Sequence, residues 1–143
     1  MLKQGIQSRA SNPELKTYGC FFYDILKIIE AQDGITPLTE NINLFLEHCK
    51  ERGYIDDDCY IKDHQKVYEL CGGDTKLKYH RFASSVDFVL EHTDYITEKV
   101  KLGKNGKELT HFTAWIDGKE WDSLDPARPT NTGYKIKSYR WWA

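Results

Sequence analysis

The sequence predicts an α+β domain in which N-terminal helices pack on a C-terminal antiparallel β-sheet. Apolar residues recur at helical spacing as far as Cys71, and after residue 76 they alternate at strand spacing. In that second half, Asn105-Gly106 and Asp117-Gly118 are strong hairpin signals. Helices first and strands after give segregated layers rather than a βαβ alternation.

The first stretch, residues 1 to 19, reads as extended or looped, with "SNPE" as turn chemistry. From Cys20 to Gln32, Phe21, Phe22, Ile25, Leu26, Ile28 and Ile29 line one broad helical face, and Gly34 suits the C-terminal cap. "TPLTENINLFLEHCKERGY" carries a second helix, capped by Thr36 before Pro37 or by Thr39, and ended by Gly53. Ile42, Phe45, Leu46 and Cys49 form its inward stripe, with Cys49 a core residue. A shorter third helix is expected from about Asp63 to Cys71, with His64 near its start as a solvated residue. The run Asp56, Asp57, Asp58 lacks both the spacing and the closing Glu of a calcium loop.

"LKYHRF" is expected as a strand and "SSVDFVLEHT" as a short helix. "DYITEKVKL", "ELTHFTAWI", "KEWDSLD" and "YKIKSYRWW" then read as strands of a twisted antiparallel sheet, with "GKNGK", "DGK" and "PTNTG" between them. Trp115, Trp121, Trp141 and Trp142 are assigned to the sheet face or its edges rather than to a ligand groove. Arg128 and Arg140, beside Tyr134 and Tyr139, are read as solvated charge in preference to an anion site.

Length and composition limit the function classes. At 143 residues, 40% hydrophobic and 13% aromatic, the chain suits one globular domain spanning residues 1–143. A net charge of −2 argues against a nucleic-acid partner. No apolar run approaches the roughly 20 residues that span a bilayer, and "MLKQGIQSRASNPELK" has no secretory apolar core, so a cytoplasmic protein is expected. The four cysteines form no C-x-x-C pair and are read as reduced thiols, a disulfide between two of them remaining open. No cofactor and no metal are implied.

Cys20 follows Gly19 and opens an amphipathic helix, where unpaired N–H groups and the helix dipole favour a thiolate. A cysteine nucleophile needs a base, and the base an orienting group. Of His48, His64, His80, His92 and His111, only His111 lies on a strand entering a hairpin whose return brings acids, Asp122 and Asp125, alongside. The ordinary alternatives are a packed helix cysteine, a strand histidine bonded to backbone, and a turn aspartate before Pro126.

Three segments carry a resemblance: "NPELKTYGC" with its helix, "TPLTENINLFLEHCKERGY", and "HFTAWIDGKEWDSLDP". In order and spacing they resemble the papain-like clan, closest to the bacteriocin-leader-processing peptidases of cysteine peptidase family thirty-nine. The resemblance implies a papain-like fold and a thiol hydrolase acting on a peptide or isopeptide bond of a protein or peptide substrate. Cys20 would be its nucleophile, His111 its base and Asp125 the orienting acid, with Asp122 the alternative. The family's oxyanion Gln has Asn12 at its offset, while Gln7 and Gln4 lie further upstream. Transfer and deamidation use the same residues, and nothing resembles the Asp-Cys-Ser motif of NlpC-type cell-wall peptidases. The competing expectation is a catalytically silent papain-like binding module of phage or mobile-element type.

Overall fold

Helix α2, Cys20–Asp33, is the axis of the molecule: its residues 21 to 30 are all buried, far more than one stripe. The computed structural model describes residues 1–84, 94–128 and 132–143. Gly34, in the left-handed conformation at φ 75°, caps α2 as the spacing predicts. Helix α3, Thr39–Glu51, and helix α4, His64–Leu70, follow it. The strands β1 (Tyr79–Ala83), β2 (Asp94–Leu102), β3 (Glu108–Ile116), β4 (Lys119–Trp121) and β5 (Lys135–Trp142) form one sheet in the order β1-β5-β2-β3-β4. Every pairing is antiparallel. The α+β class therefore holds.

The two hairpin signals act where they stand. Gly106 at φ 75° turns β2 into β3, and Asp117 and Gly118, at φ 51° and 77°, turn β3 into β4. In the second turn, left-handed residues at both central positions match the right-handed twist of the flanking strands. The core lies between α2 and the sheet, where Phe22, Ile25 and Leu26 meet Ile96, Ala114, Trp121 and Trp142. The N-terminal segment closes one end of it. Buried Glu30 accepts the Leu2 N–H at 2.6 Å and pairs with Lys27 at 2.7 Å, while the Trp121 indole donates to the Leu2 carbonyl.

Several expectations are corrected. Residues 1 to 19 are not all loop: a short 3-10 turn at Gln7–Arg9 precedes helix α1, Pro13–Tyr18. "SNPE" starts α1, because the Asn12 side chain accepts the Glu14 and Leu15 N–H groups at 2.9 and 3.2 Å and Pro13 takes the first turn. Neither Thr36 nor Thr39 caps α3. Its cap position is Leu38, and the Thr36 hydroxyl donates to Glu30 instead. Asp63, just before α4, caps that helix by accepting the Lys66 N–H. Apart from Ser84, the expected helix over "SSVDFVLEHT" lies outside the described residues, as does part of the "PTNTG" turn. All four cysteines are free, and Cys49 is a core residue. No helix among the described residues is long and apolar enough to cross a membrane.

Candidate active site

The corner between α1 and α2 places Cys20. The Gly19 N–H donates to the Leu15 carbonyl, and a Cβ at Gly19 would stand 2.5 Å from that same oxygen. Only glycine permits so close an approach, so the Gly-Cys pair sets where α2 starts. Its first residue, Cys20, is partly exposed at the mouth of a groove of about 790 Å³. The backbone N–H groups of Phe112, on β3, and of Phe21 lie close enough to the Cys20 sulfur to favour a charge on it.

The residue before Phe112 on β3 is His111. Its Nε2 lies 2.8 Å from Oδ1 of Asp122, and the two residues are only 3% and 2% exposed. Asp122 is the first residue beyond β4. Register pairs Trp121 with Ala114, so the next residue reaches back toward His111 just as the chain leaves the sheet. Four bonds hold it there. Its N–H donates to the Gln4 side chain, its carbonyl accepts the Gly5 N–H, and Oδ1 accepts from both the Leu124 N–H and the ring. With a carboxylate on Nε2, that nitrogen carries the proton and Nδ1 keeps its lone pair.

The other candidates stand elsewhere. Asp125, expected to orient His111, is exposed and accepts the Ala127 N–H in a local turn, so the acid beside the imidazole is Asp122. Asn12, expected at the oxyanion position, spends its side-chain oxygen on the α1 cap. Gln7 is fully buried. It accepts the Ser123 hydroxyl at 2.6 Å and donates to the Lys16 carbonyl, and it does not line the groove. Gln4 is engaged with Asp122. The Cys20 and Phe22 N–H groups in the first turn of α2 have no acceptor within their helix and are free to meet an anionic oxygen.

The electrostatics run against the expected thiolate. Burial, then the nearby Asp24 carboxyl, pushes the Cys20 thiol up to about 12, and the two backbone N–H groups offset only part of this. Cys20 thus rests as a thiol. Asp24 lies one helical turn further along α2, is 0% exposed, and has no hydrogen-bond partner for either oxygen among the described residues. Burial first and the charge of Asp122 next hold Asp24 well above the usual carboxylate range, with Lys99 opposing.

Sequence reasoning missed the groove. Its walls come from α1 and α2, from the turn around Cys59, and from the face of the sheet that carries Glu98, Phe112 and Arg140. None of the four tryptophans is among the lining residues. His64 is not a solvated residue: it stacks on Tyr79 with ring centroids 4.5 Å apart and leans on Phe21. Nor is Arg140 solvated, being 6% exposed. Its guanidinium donates to Glu98, Ser138 and the Tyr79 hydroxyl and lies over Phe21 and Phe112. The available signal was the i, i+2 phase that puts Ser138, Arg140 and Trp142 on one face of β5. Among the described residues, no group of three or more His, Cys, Asp or Glu is arranged to hold a metal.

Burial, then Arg140, lowers His64 from 6.5 to about 4. The folded chain keeps this ring neutral, whereas the unfolded chain protonates it below about pH 6.5. That part of the stability is complete above pH 6.5 and is lost as the pH falls from there through about 4. The melting temperature is expected to fall by a few degrees over this window. His64→Phe, which keeps a ring in the stack, should remove that part of the slope in pH-dependent calorimetry.

A family model described as "Protein of unknown function, DUF261" matches residues 2–143. The chain belongs to this family. No curated protein and no solved structure matches it. The match takes in α1, the strands and the Asp122 segment together, so the family spans both the groove and the His111–Asp122 pair.

Proposed function

We propose that the protein is a papain-like thiol hydrolase that cleaves a peptide or isopeptide bond, with Cys20 as nucleophile, His111 as base and Asp122 as the orienting acid. The observation that carries this reading is the buried His111–Asp122 hydrogen bond. His111 precedes Phe112, which lines the groove together with Cys20, and Cys20 feels the charge of Asp122. Asp122 fixes the tautomer and favours the imidazolium that forms when the ring takes a proton.

A resting thiol changes how the first step runs. The proton leaves sulfur as the S–C bond to the substrate carbonyl forms, and His111 receives it. Negative charge then collects on the carbonyl oxygen, at the positive end of a 14-residue helix. Collapse of this intermediate expels the amine, which takes its proton from His111, and an acyl-enzyme remains. Water, deprotonated by the same ring, releases the acid and frees the thiol.

A silent binding module draws on one specific observation, the thiol pushed up to about 12. Alkylation separates the two readings. Native protein is treated with iodoacetamide from pH 5 to 11, and each cysteine is followed by mass spectrometry. For a hydrolase, Cys20 reacts with a half-maximal rate near neutral pH, because His111 serves as base. In His111→Ala that profile is expected to move to the strongly alkaline range and the neutral-pH rate to fall by about 10²-fold. If the wild type already follows the alkaline profile, Cys20 is a packed thiol and the hydrolase reading fails.

A further inference from the structure

The floor of the groove crosses four strands, from Phe112 on β3 through Glu98 on β2 and Arg140 on β5 to Arg81 on β1. Register sets Arg81 directly opposite Arg140. Like charges in that position destabilise a sheet, and the two differ in how they are compensated. Arg140 is buried and bound to Glu98 at 3.1 Å, with Ser138 and Tyr79 taking its other nitrogens. Arg81 is exposed and makes no ion pair among the described residues.

The groove also carries three acids, Glu98, Asp57 and Asp58, and it is position rather than a net excess of charge that sets Arg81 apart. Glu98 is held by Arg140 and by the Ser138 hydroxyl. Asp57 stands on the turn that forms another wall, where Lys50 feels its charge. Asp58, beside it, is exposed to solvent. At His64, Arg140 and Arg81 both oppose a charge on the ring, while Asp63, just before α4, favours one. Tyr79, two residues before Arg81 on β1, stacks with His64 and supplies a flat apolar wall beside the cation.

We propose that Arg81, backed by Arg140, is a carboxylate-binding subsite, so that the groove selects a peptide with a carboxylate near the bond presented to Cys20. The assignment of a substrate class rests on the reading of Cys20 as nucleophile, whereas the anion site itself does not. The carboxylate is either an acidic side chain or a free peptide C-terminus. The exposed guanidinium is a fork suited to both, and a single carboxylate seated on it relieves the Arg81–Arg140 repulsion.

Two reagents of nearly one size read the charge. Iodoacetate and iodoacetamide both transfer a carbon to sulfur with loss of iodide, but only iodoacetate is an anion. The ratio of their rates at Cys20 is divided by the same ratio for the urea-unfolded chain. This normalised ratio is expected to exceed about tenfold in the wild type. It should fall toward one in Arg81→Gln and at about 1 M salt. A normalised ratio of one, or a high ratio that Arg81→Gln leaves in place, overturns the subsite while leaving the thiol reading intact.

If Cys20 resists both reagents, the hydrolase reading has failed and the subsite is judged by binding. The side-chain Nε–H signal of Arg81 is then followed by NMR in the full chain during three titrations. The probes are acetyl-Phe-Glu amide, acetyl-Phe-Gln with a free carboxyl terminus, and the uncharged acetyl-Phe-Gln amide. A saturable shift with either charged peptide but not the neutral one supports the site and identifies the source of the carboxylate. Equal response to all three, or none to any, overturns it.

Discussion

Asp122→Ala is expected to lower stability by about 3–5 kcal/mol, whereas Asp122→Asn should fold almost as the wild type does. In Asp122→Ala the His111 ring, 3% exposed, keeps a buried Nε2–H with no acceptor. The Leu124 N–H loses its partner as well, at the point where the chain leaves β4. Asn offers an oxygen in the same place for both donors, so the geometry survives. What it lacks is the negative charge that favours a protonated imidazole. Under the proposed mechanism, Asp122→Asn should cut the neutral-pH reactivity of Cys20 by about 10²-fold or more with little change in melting temperature. Urea unfolding and iodoacetamide alkylation of both variants separate the two roles. Equal reactivity of Asp122→Asn and wild type would reduce the pair to a structural hydrogen bond.

The sequence made the long elements legible, because their ends are written in local chemistry. Gly19 and Gly34 bracket α2, and the strands "DYITEKVKL" and "ELTHFTAWI" coincide with β2 and β3 because strong turn residues follow each. Helix α1 escaped notice because its six residues are too few to show a period, and Asn-Pro serves equally well to begin a turn or a helix. The same Asn12 was consumed by that hidden helix, which is why its offset from Cys20 misled. Asp122 and Asp125 were separable only through the strand register that pairs Trp121 with Ala114. The groove was out of reach for a different reason. Arg140, Glu98, Tyr79 and His64 lie far apart in the chain, and only the order β1-β5-β2-β3 brings them to one face. Whether a charged residue is buried is a tertiary property, as Arg140 and Asp24 both show.

Glu98→Gln is expected to destabilise the protein by about 3–5 kcal/mol, a fall of roughly 10–20 °C in melting temperature for a domain of this size. Arg140 and Glu98 have 8% and 13% of their side-chain surface exposed. The substituted amide would still accept a hydrogen bond, but the guanidinium would then have only neutral partners, Ser138 and Tyr79 among them. Arg81, directly across the β1–β5 pair, would then add repulsion that Glu98 now offsets. The loss therefore measures an uncompensated buried cation rather than the strength of one bond. An apolar pair tests this, since replacing both members of a buried ion pair with hydrophobic residues is often neutral or stabilising. Glu98→Leu with Arg140→Met should recover most of the stability lost in Glu98→Gln, because no charge is then left buried and unpaired. The methionine can also lie between Phe21 and Phe112, where the guanidinium now packs. The double variant should nevertheless weaken the preference of Cys20 for iodoacetate, since it removes the cation behind Arg81. Recovered stability with a reduced anion preference would separate the role of Arg140 in the core from its role in the groove.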